Sequence, residues 1–331
     1  MNKLTKIGVS ALCGSLASVV SASAGSLDVT GGATATYTSL QGEVTGNPLG
    51  MASAMTFTGT GELDNGSTFT LSIAHTNKSA YTGSQIALTT PSIGTFRYDE
   101  GGGTGLDRID DMMPTAWEEV DGTGLGMGLQ TVTGAGGSSD IEWEIGMGMP
   151  EGMATYISFA PTPDGSKNAN KGVGGDGGAV VGYGFDIVVT HSGLYEGLNV
   201  FAGYSEIEQA SGIGDRDQKA YGLTYAIGGA TIGYQYSEDN NPGIANDYYE
   251  NEAYGVSFSV NDDLSISYGY HESDQRDDSA AATVSMEGTS LQLAYSVGGA
   301  SIKVAESSVD NQKYQSGTNR DGRTIALTLA F

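Results

Sequence analysis

Large apolar side chains alternate with small or polar ones along most of this chain. In "SDIEWEIGMG", Ile141, Trp143, Ile145 and Met147 share one side, and Glu142 and Glu144 the other. "KAYGLTYAI" sets Tyr221, Leu223, Tyr225 and Ile227 against Gly222, Thr224 and Ala226. "EAYGVSFSV" aligns Tyr254, Val256, Phe258 and Val260, and "SLQLAYSV" aligns Leu291, Leu293, Tyr295 and Val297. The closing stretch "RTIALTLAF" repeats the pattern, with Ile325, Leu327, Leu329 and Phe331 on one side. A period of two is that of a strand with unlike faces, and Thr, Tyr, Val and Ile suit a pleated surface.

The two faces do not fit an ordinary soluble fold. A sandwich or jelly roll also alternates, but its apolar faces pack on one another and its polar faces meet water. Here the face opposite the large apolar residues is mostly Gly, Ala, Ser, Thr and acids. It is too small and too polar to be a core. The 52 glycines keep no three-residue period, which excludes collagen. A ring with lipid outside and water inside satisfies both faces, and closure leaves no backbone edge unpaired. This places Ile325, Leu327 and Leu329 against lipid and Phe331 at the periplasmic interface. There the last strand closes the ring on the first, "LDVTGGATATY". The tyrosines suit interfacial girdles.

The joints between strands alternate in length. Asp64–Gly66, Pro91–Gly94, Pro150–Gly152, Leu194–Gly197, Gly228-Gly229, Asn261–Asp263 and Gly298-Gly299 are tight turns. Longer polar connections lie between them, such as Thr162–Gly178, Asp239–Tyr249, Asp274–Ala282 and Ser308–Asp321. The expected fold is therefore all-β, a transmembrane antiparallel up-and-down barrel of roughly 16 strands of ~9–11 residues.

The start, "MNKLTKIGVSALCGSLASVVSASA", reads as a secretory signal peptide. Lys3 and Lys6 precede a short apolar stretch, and Ala22-Ser23-Ala24 is a cleavage site. Residues 1–24 are thus the expected signal and 25–331 the expected barrel domain. Cys13, the single cysteine, leaves with the signal, so the mature chain has no thiol chemistry. The formal net charge of −25 opposes binding to nucleic acid, whose phosphates call for Lys and Arg.

One joint stands out. "IGTFRYDEGGGTGLDRIDDMMPTAWEEVDGTG" opens a connection from about Asp99 to Gly137, after the fifth predicted strand. The signal, the alternation, the acidity and the terminal Phe331 together resemble the general porins of Gram-negative outer membranes. The glycine-rich and then acidic stretch resembles the third loop of alphaproteobacterial porins, which folds into the barrel and narrows it. The resemblance implies an outer-membrane homotrimer with one water-filled pore per subunit, passing small hydrophilic solutes. It also shows two departures. The second long joint, near Asn77–Gly83, is short, and basic residues are few.

In the third loop Asp107, Asp110, Asp111, Glu118, Glu119 and Asp121 are the candidate constriction residues, with Arg108 among them. "PTAWEEV" is expected to form a helical turn begun by Pro114. Carboxylates in a narrow throat attract cations and repel anions. Parity turns Arg97 and Lys303 inward as basic partners facing these acids, and Glu142 and Glu144 line the lumen beside them. The expected function is passive diffusion with a preference for cations. A plugged barrel serving as a surface adhesin or structural protein is the alternative. No cofactor is expected, although acidic joints such as "SEDNN" and "NDD" suit weak Ca²⁺ binding without forming an EF-hand loop. "GGGTG" lacks the ending of a phosphate loop, the three histidines have no metal spacing, and no nucleophile elbow is present, so enzymatic chemistry is not expected. N-terminal sequencing of the exported protein should begin at Gly25; a mature chain still starting at Met1 contradicts the signal assignment.

Overall fold

The computed structural model describes residues 25–41, 46–77, 82–100, 102–137, 139–163, 180–242, 248–276 and 283–330. The signal segment 1–24 and Phe331 lie outside them. The strands are β1 (Ser26–Gln41), β2 (Leu49–Glu62), β3 (Thr68–Thr76), β4 (Gly83–Thr90), β5 (Gly94–Asp99), β6 (Asp140–Ile145), β7 (Met153–Ala160) and β8 (Val180–Ser192). They continue as β9 (Leu198–Gln209), β10 (Arg216–Ile227), β11 (Ala230–Asn240), β12 (Tyr248–Ser259), β13 (Leu264–Arg276), β14 (Thr283–Val297), β15 (Ala300–Asp310) and β16 (Arg320–Ala330).

Each strand pairs antiparallel with its neighbours in sequence, and β1 pairs with β16, closing the barrel. That seam runs from Gly32 opposite Ala330 to Gln41 opposite Asp321. Tight turns gather at one end. At Gly228 and Gly298 φ is 59° and 56°, the left-handed backbone that two-residue hairpins need and glycine supplies freely. The longer joints gather at the other end, the extracellular one in barrels of this kind.

The apolar face points outward, as the alternation requires. Leu291 is 59% exposed, Leu329 55% and Ile302 50%. The inner face departs from the sequence reading over β8 to β15. Val188, Phe201, Ala220 and Ala253 point inward yet are buried, packed with Leu106, Ile109, Met113 and Val132. A second cluster joins Met286 and Val309 to Val120, Leu125 and Met127. The long joint between β5 and β6 supplies the covering residues. It folds into the barrel and builds a core against the wall, so apolar side chains are tolerated there without facing water. Fully burying each of the larger ones, Val, Leu, Ile, Phe or Met, is worth roughly 1.5–3 kcal/mol.

Glycines in the wall give this loop its seat. Gly233, Gly255 and Gly269 are register partners on β11, β12 and β13. A Cβ on Gly255 would lie 2.9 Å from Pro114 Cδ, and one on Gly269 would lie 2.9 Å from Val120 Cγ2. The bare backbone lets the loop lie flush on the wall. Gly255→Val should displace Pro114 and change single-channel conductance while the β-sheet circular dichroism signal stays intact. On the outer face, Leu291→Arg near the middle of β14 should cost about 2–4 kcal/mol in refolding titrations into lipid vesicles.

Candidate pore constriction

The third loop leaves β5 at Glu100 and rejoins the wall at Asp140, and both of its ends are clamped at one height of the barrel. Glu142, Ser158, Asp186, Ser205 and Gln218 face one another in register across β6 to β10. Thr104 Oγ1 donates to Asp140 Oδ1 at 2.7 Å, and Gly105 N to Glu142 Oε2 at 2.9 Å. Asp186, fully buried, accepts the amides of Leu106 at 2.8 Å, Ala135 at 2.9 Å and Gly136 at 3.1 Å. Gly134 N donates to Gln218 Oε1 at 2.6 Å. One carboxylate therefore ties the outgoing and returning limbs together.

The outgoing limb follows the wall from β9 to β15. Gln235 Nε2 donates to Asp110 O at 2.7 Å, and Gln235 Oε1 accepts Met112 N at 3.2 Å. Ser267 Oγ accepts Ala116 N at 2.8 Å. Gln292 Oε1 accepts both Trp117 N and Glu118 N at 3.1 Å, and its Nε2 donates to Glu118 O at 2.6 Å. Each glutamine offers the loop one donor and one acceptor, as a neighbouring strand would. The expected helical turn in "PTAWEEV" therefore does not form. Its amides are drawn sideways to the wall, and the short helical turns are 3-10 segments at Gly105–Ile109, Asp121–Thr123 and Ala135–Gly137. The limb returns under the joint after β15, where Gln312 Nε2 and Arg320 Nη1 each donate to Leu125 O at 3.0 Å.

All six acidic candidates lie on or beside the outgoing limb. Asp107 Oδ2 accepts Gly103 N at 2.6 Å, and Asp111, Glu118 and Asp121 are exposed. Burial, with Asp107 and Asp111 beside it, pushes the Asp110 carboxyl up to about 8. Burial also pushes Glu119 up to about 8, helped by Asp121, Asp111 and Glu118, against the Met113 N–H that Oε1 accepts at 2.7 Å. Burial raises Glu118 and Asp121 as well, and the Lys303 ammonium opposes the rise at Glu118.

The basic candidates divide. Lys303 faces the loop, with Nζ 5.9 Å from the centre of the Trp117 ring. Arg97 does not oppose the acidic limb as expected. It spans the two wall glutamates, at 3.1 Å to Glu142 and 2.5 Å to Glu144. Arg108 turns away from its acidic neighbours to Glu142 at 2.5 Å and stacks over Tyr156 at 4.1 Å. Arg97, Arg108, Glu142 and Glu144 thus form a compensated patch at the root of the loop, because Glu142 is fully buried and needs positive partners. Across the ring, β1 to β4 contain no lysine or arginine. Their inward parity positions are rich in threonine, and Thr34 and Thr38 reach Thr328 and Thr324 on β16 at 2.9 and 3.1 Å.

The acidic joints named for Ca²⁺ have other work. Asn261 Oδ1 accepts the amides of Asp263 and Leu264 at 2.9 Å, and Asp239 pairs with Arg216. Among the described residues no group of three or more His, Cys, Asp or Glu is arranged to hold a metal. Sequence reasoning missed Asp186, Gln235, Gln292 and Trp117. The sequence marks Trp117 as one of only two tryptophans, placed within an acidic run; the other three carry no local signal.

A closed sixteen-stranded barrel, apolar outside and narrowed by its own third loop, is a membrane channel of the porin class. The Gram-negative porin profile matches residues 8–287, and the chain belongs to that family. Salmonella typhi OmpF, solved with daunomycin, superposes with a TM-score of 0.70 at 14% identity, covering 92% of this chain and 97% of its own. The anion-selective porin from Comamonas acidovorans gives 0.64 at 16% identity, over 93% and 100%. A mutant of the Rh. blastica porin gives 0.58 at 15%, over 92% and 100%. A search of curated protein sequences gave no match. Asp186→Ala should release both ends of the loop at a cost of roughly 3 kcal/mol or more. Its signature is faster proteolysis within residues 102–137, with the barrel still resistant.

Proposed function

We propose that this outer-membrane porin prefers cations, and that the carboxylates of the third loop set the preference. The observation that carries the reading is the contrast across the ring. Six acids share the outgoing limb, while β1 to β4, opposite, hold no lysine or arginine. The basic residues that face inward near the loop root are already paired with Glu142 and Glu144. A narrow passage of one sign concentrates counter-ions and repels co-ions. With Arg97 and Arg108 paired at the loop root, few basic side chains face the acidic limb, so solutes are sorted chiefly by net charge. Residues 1–24 act as an export signal removed after Ala24. The mature chain assembles as a homotrimer through the outer face of β1 to β4. Support comes from the girdle, which is lopsided. Tyrosine hydroxyls donate to glutamates on the outer face at Tyr236–Glu238, Tyr248–Glu250, Tyr254–Glu252 and Tyr270–Glu272. Outward positions of β1 and β2 include the small Gly31, Ala33, Ala35 and Ser53 instead.

In a KCl gradient across a planar bilayer, single channels should show a reversal potential of cation-preferring sign; an anion-preferring sign contradicts the reading. The preference should also rise with pH. Asp110 and Glu119, held near 8, are neutral below that pH and become charged above it. Their unfolded values lie near 4, so the stability they lend the folded state is full below about pH 4 and is lost as pH rises through 8. Reversal potentials between pH 6 and 9 should therefore grow, and Glu119→Gln should flatten the change.

A further inference from the structure

Trp117 is placed with more care than a loop aromatic needs. The amides of Ala116, Trp117 and Glu118 are all held by wall side chains, Ser267 and Gln292. The indole is half-buried, and the neighbouring Glu118 is exposed. Over the ring sits the Lys303 ammonium, 5.9 Å from its centre and within the distance at which a cation is attracted to an aromatic face. The same ammonium interacts with the Glu118 carboxylate. The pore therefore already holds one alkylammonium group on a π face beside a carboxylate, the pair of features by which such groups are recognised. That group is carried on the flexible four-carbon stem of a lysine and can swing away.

We propose that Trp117 and Glu118 form a recognition site for alkylammonium cations in the constriction, and that Lys303 is its tethered competitor. The site rests on the cation-preferring reading and deepens it by naming a substrate class. An incoming amine takes the place of Lys303 on the ring and pairs with Glu118, while Asp111 and Asp121 extend the negative surface along its path. K⁺ has no apolar surface to lay on the indole, whereas an alkylammonium adds its chain to the charge, so the site discriminates among cations of equal charge.

The test is block of single-channel KCl current by n-butylammonium chloride, using the full-length protein in planar bilayers. Wild type should show saturable block. Lys303→Met should lower the half-blocking concentration on the order of tenfold by removing the competitor. Adding Trp117→Leu to Lys303→Met should reverse that gain, and Trp117→Phe in the same background should fall between. The double variants separate the contribution of the ring from the loss of one positive charge. A half-blocking concentration unchanged by Lys303→Met overturns the proposal, as does one that stays low when Trp117→Leu is added. The gradient measurement without butylammonium reports the underlying reading on the same channels. Channels that conduct without cation preference overturn both readings. Channels that prefer cations but show either of the unchanged block patterns overturn the ammonium site alone.

Discussion

In hydrocarbon there is no water to satisfy an unpaired N–H or C=O, so a sheet that crosses a membrane must have no edge. The seam between β1 and β16 meets that demand, and the other features of the protein follow from it. Once the ring is closed, alternate side chains have only two destinations. Those facing out must be apolar, and those facing in border an enclosed space that the chain itself can shape. Termini and tight turns then share one end, and the long joints share the other. A joint at that end has the length and position to fold back into the lumen.

The third loop occupies that space by treating the inner wall as a sheet treats its neighbour. Glutamine side chains on β11 and β14 supply the donors and acceptors that a strand would offer, and glycines on β11 to β13 let the loop backbone approach. Asp186 fastens both limbs at their root. Two small apolar cores fill the gap between loop and wall. The constriction is consequently part of the packed structure, with two of its carboxyls, Asp110 and Glu119, pushed up to about 8 by burial and, after it, by their acidic neighbours.

Charge is distributed so that attraction and compensation are kept apart. Arginines at the loop root are spent on buried Glu142 and on Glu144. Among the described residues, the acids further along the limb, from Asp110 to Asp121, have no arginine partner, and Lys303 opposes the rise that burial imposes on Glu118. A hydroxyl-rich wall across the ring adds hydrogen-bonding capacity without competing charge.

The sequence by itself determined the barrel. The solvent on each side of the wall acts on every residue locally, so a period of two, turn residues and the inverted faces record the environment strand by strand. The long joint, its acids, and the inward parity of Arg97, Lys303, Glu142 and Glu144 were legible for the same reason. What only the tertiary structure decided was the partner of each group. Leu106 and Asp186 are 80 residues apart, and Trp117 and Gln292 are 175 apart. No local pattern specifies such contacts. The helical turn expected in "PTAWEEV" lost to wall side chains that the loop meets only after closure, and Arg97 turned to Glu142 and Glu144 because the pairing of β5 with β6, across the long loop, sets Glu142 opposite it. Parity tells which way a side chain points; only the closed ring tells what it meets there.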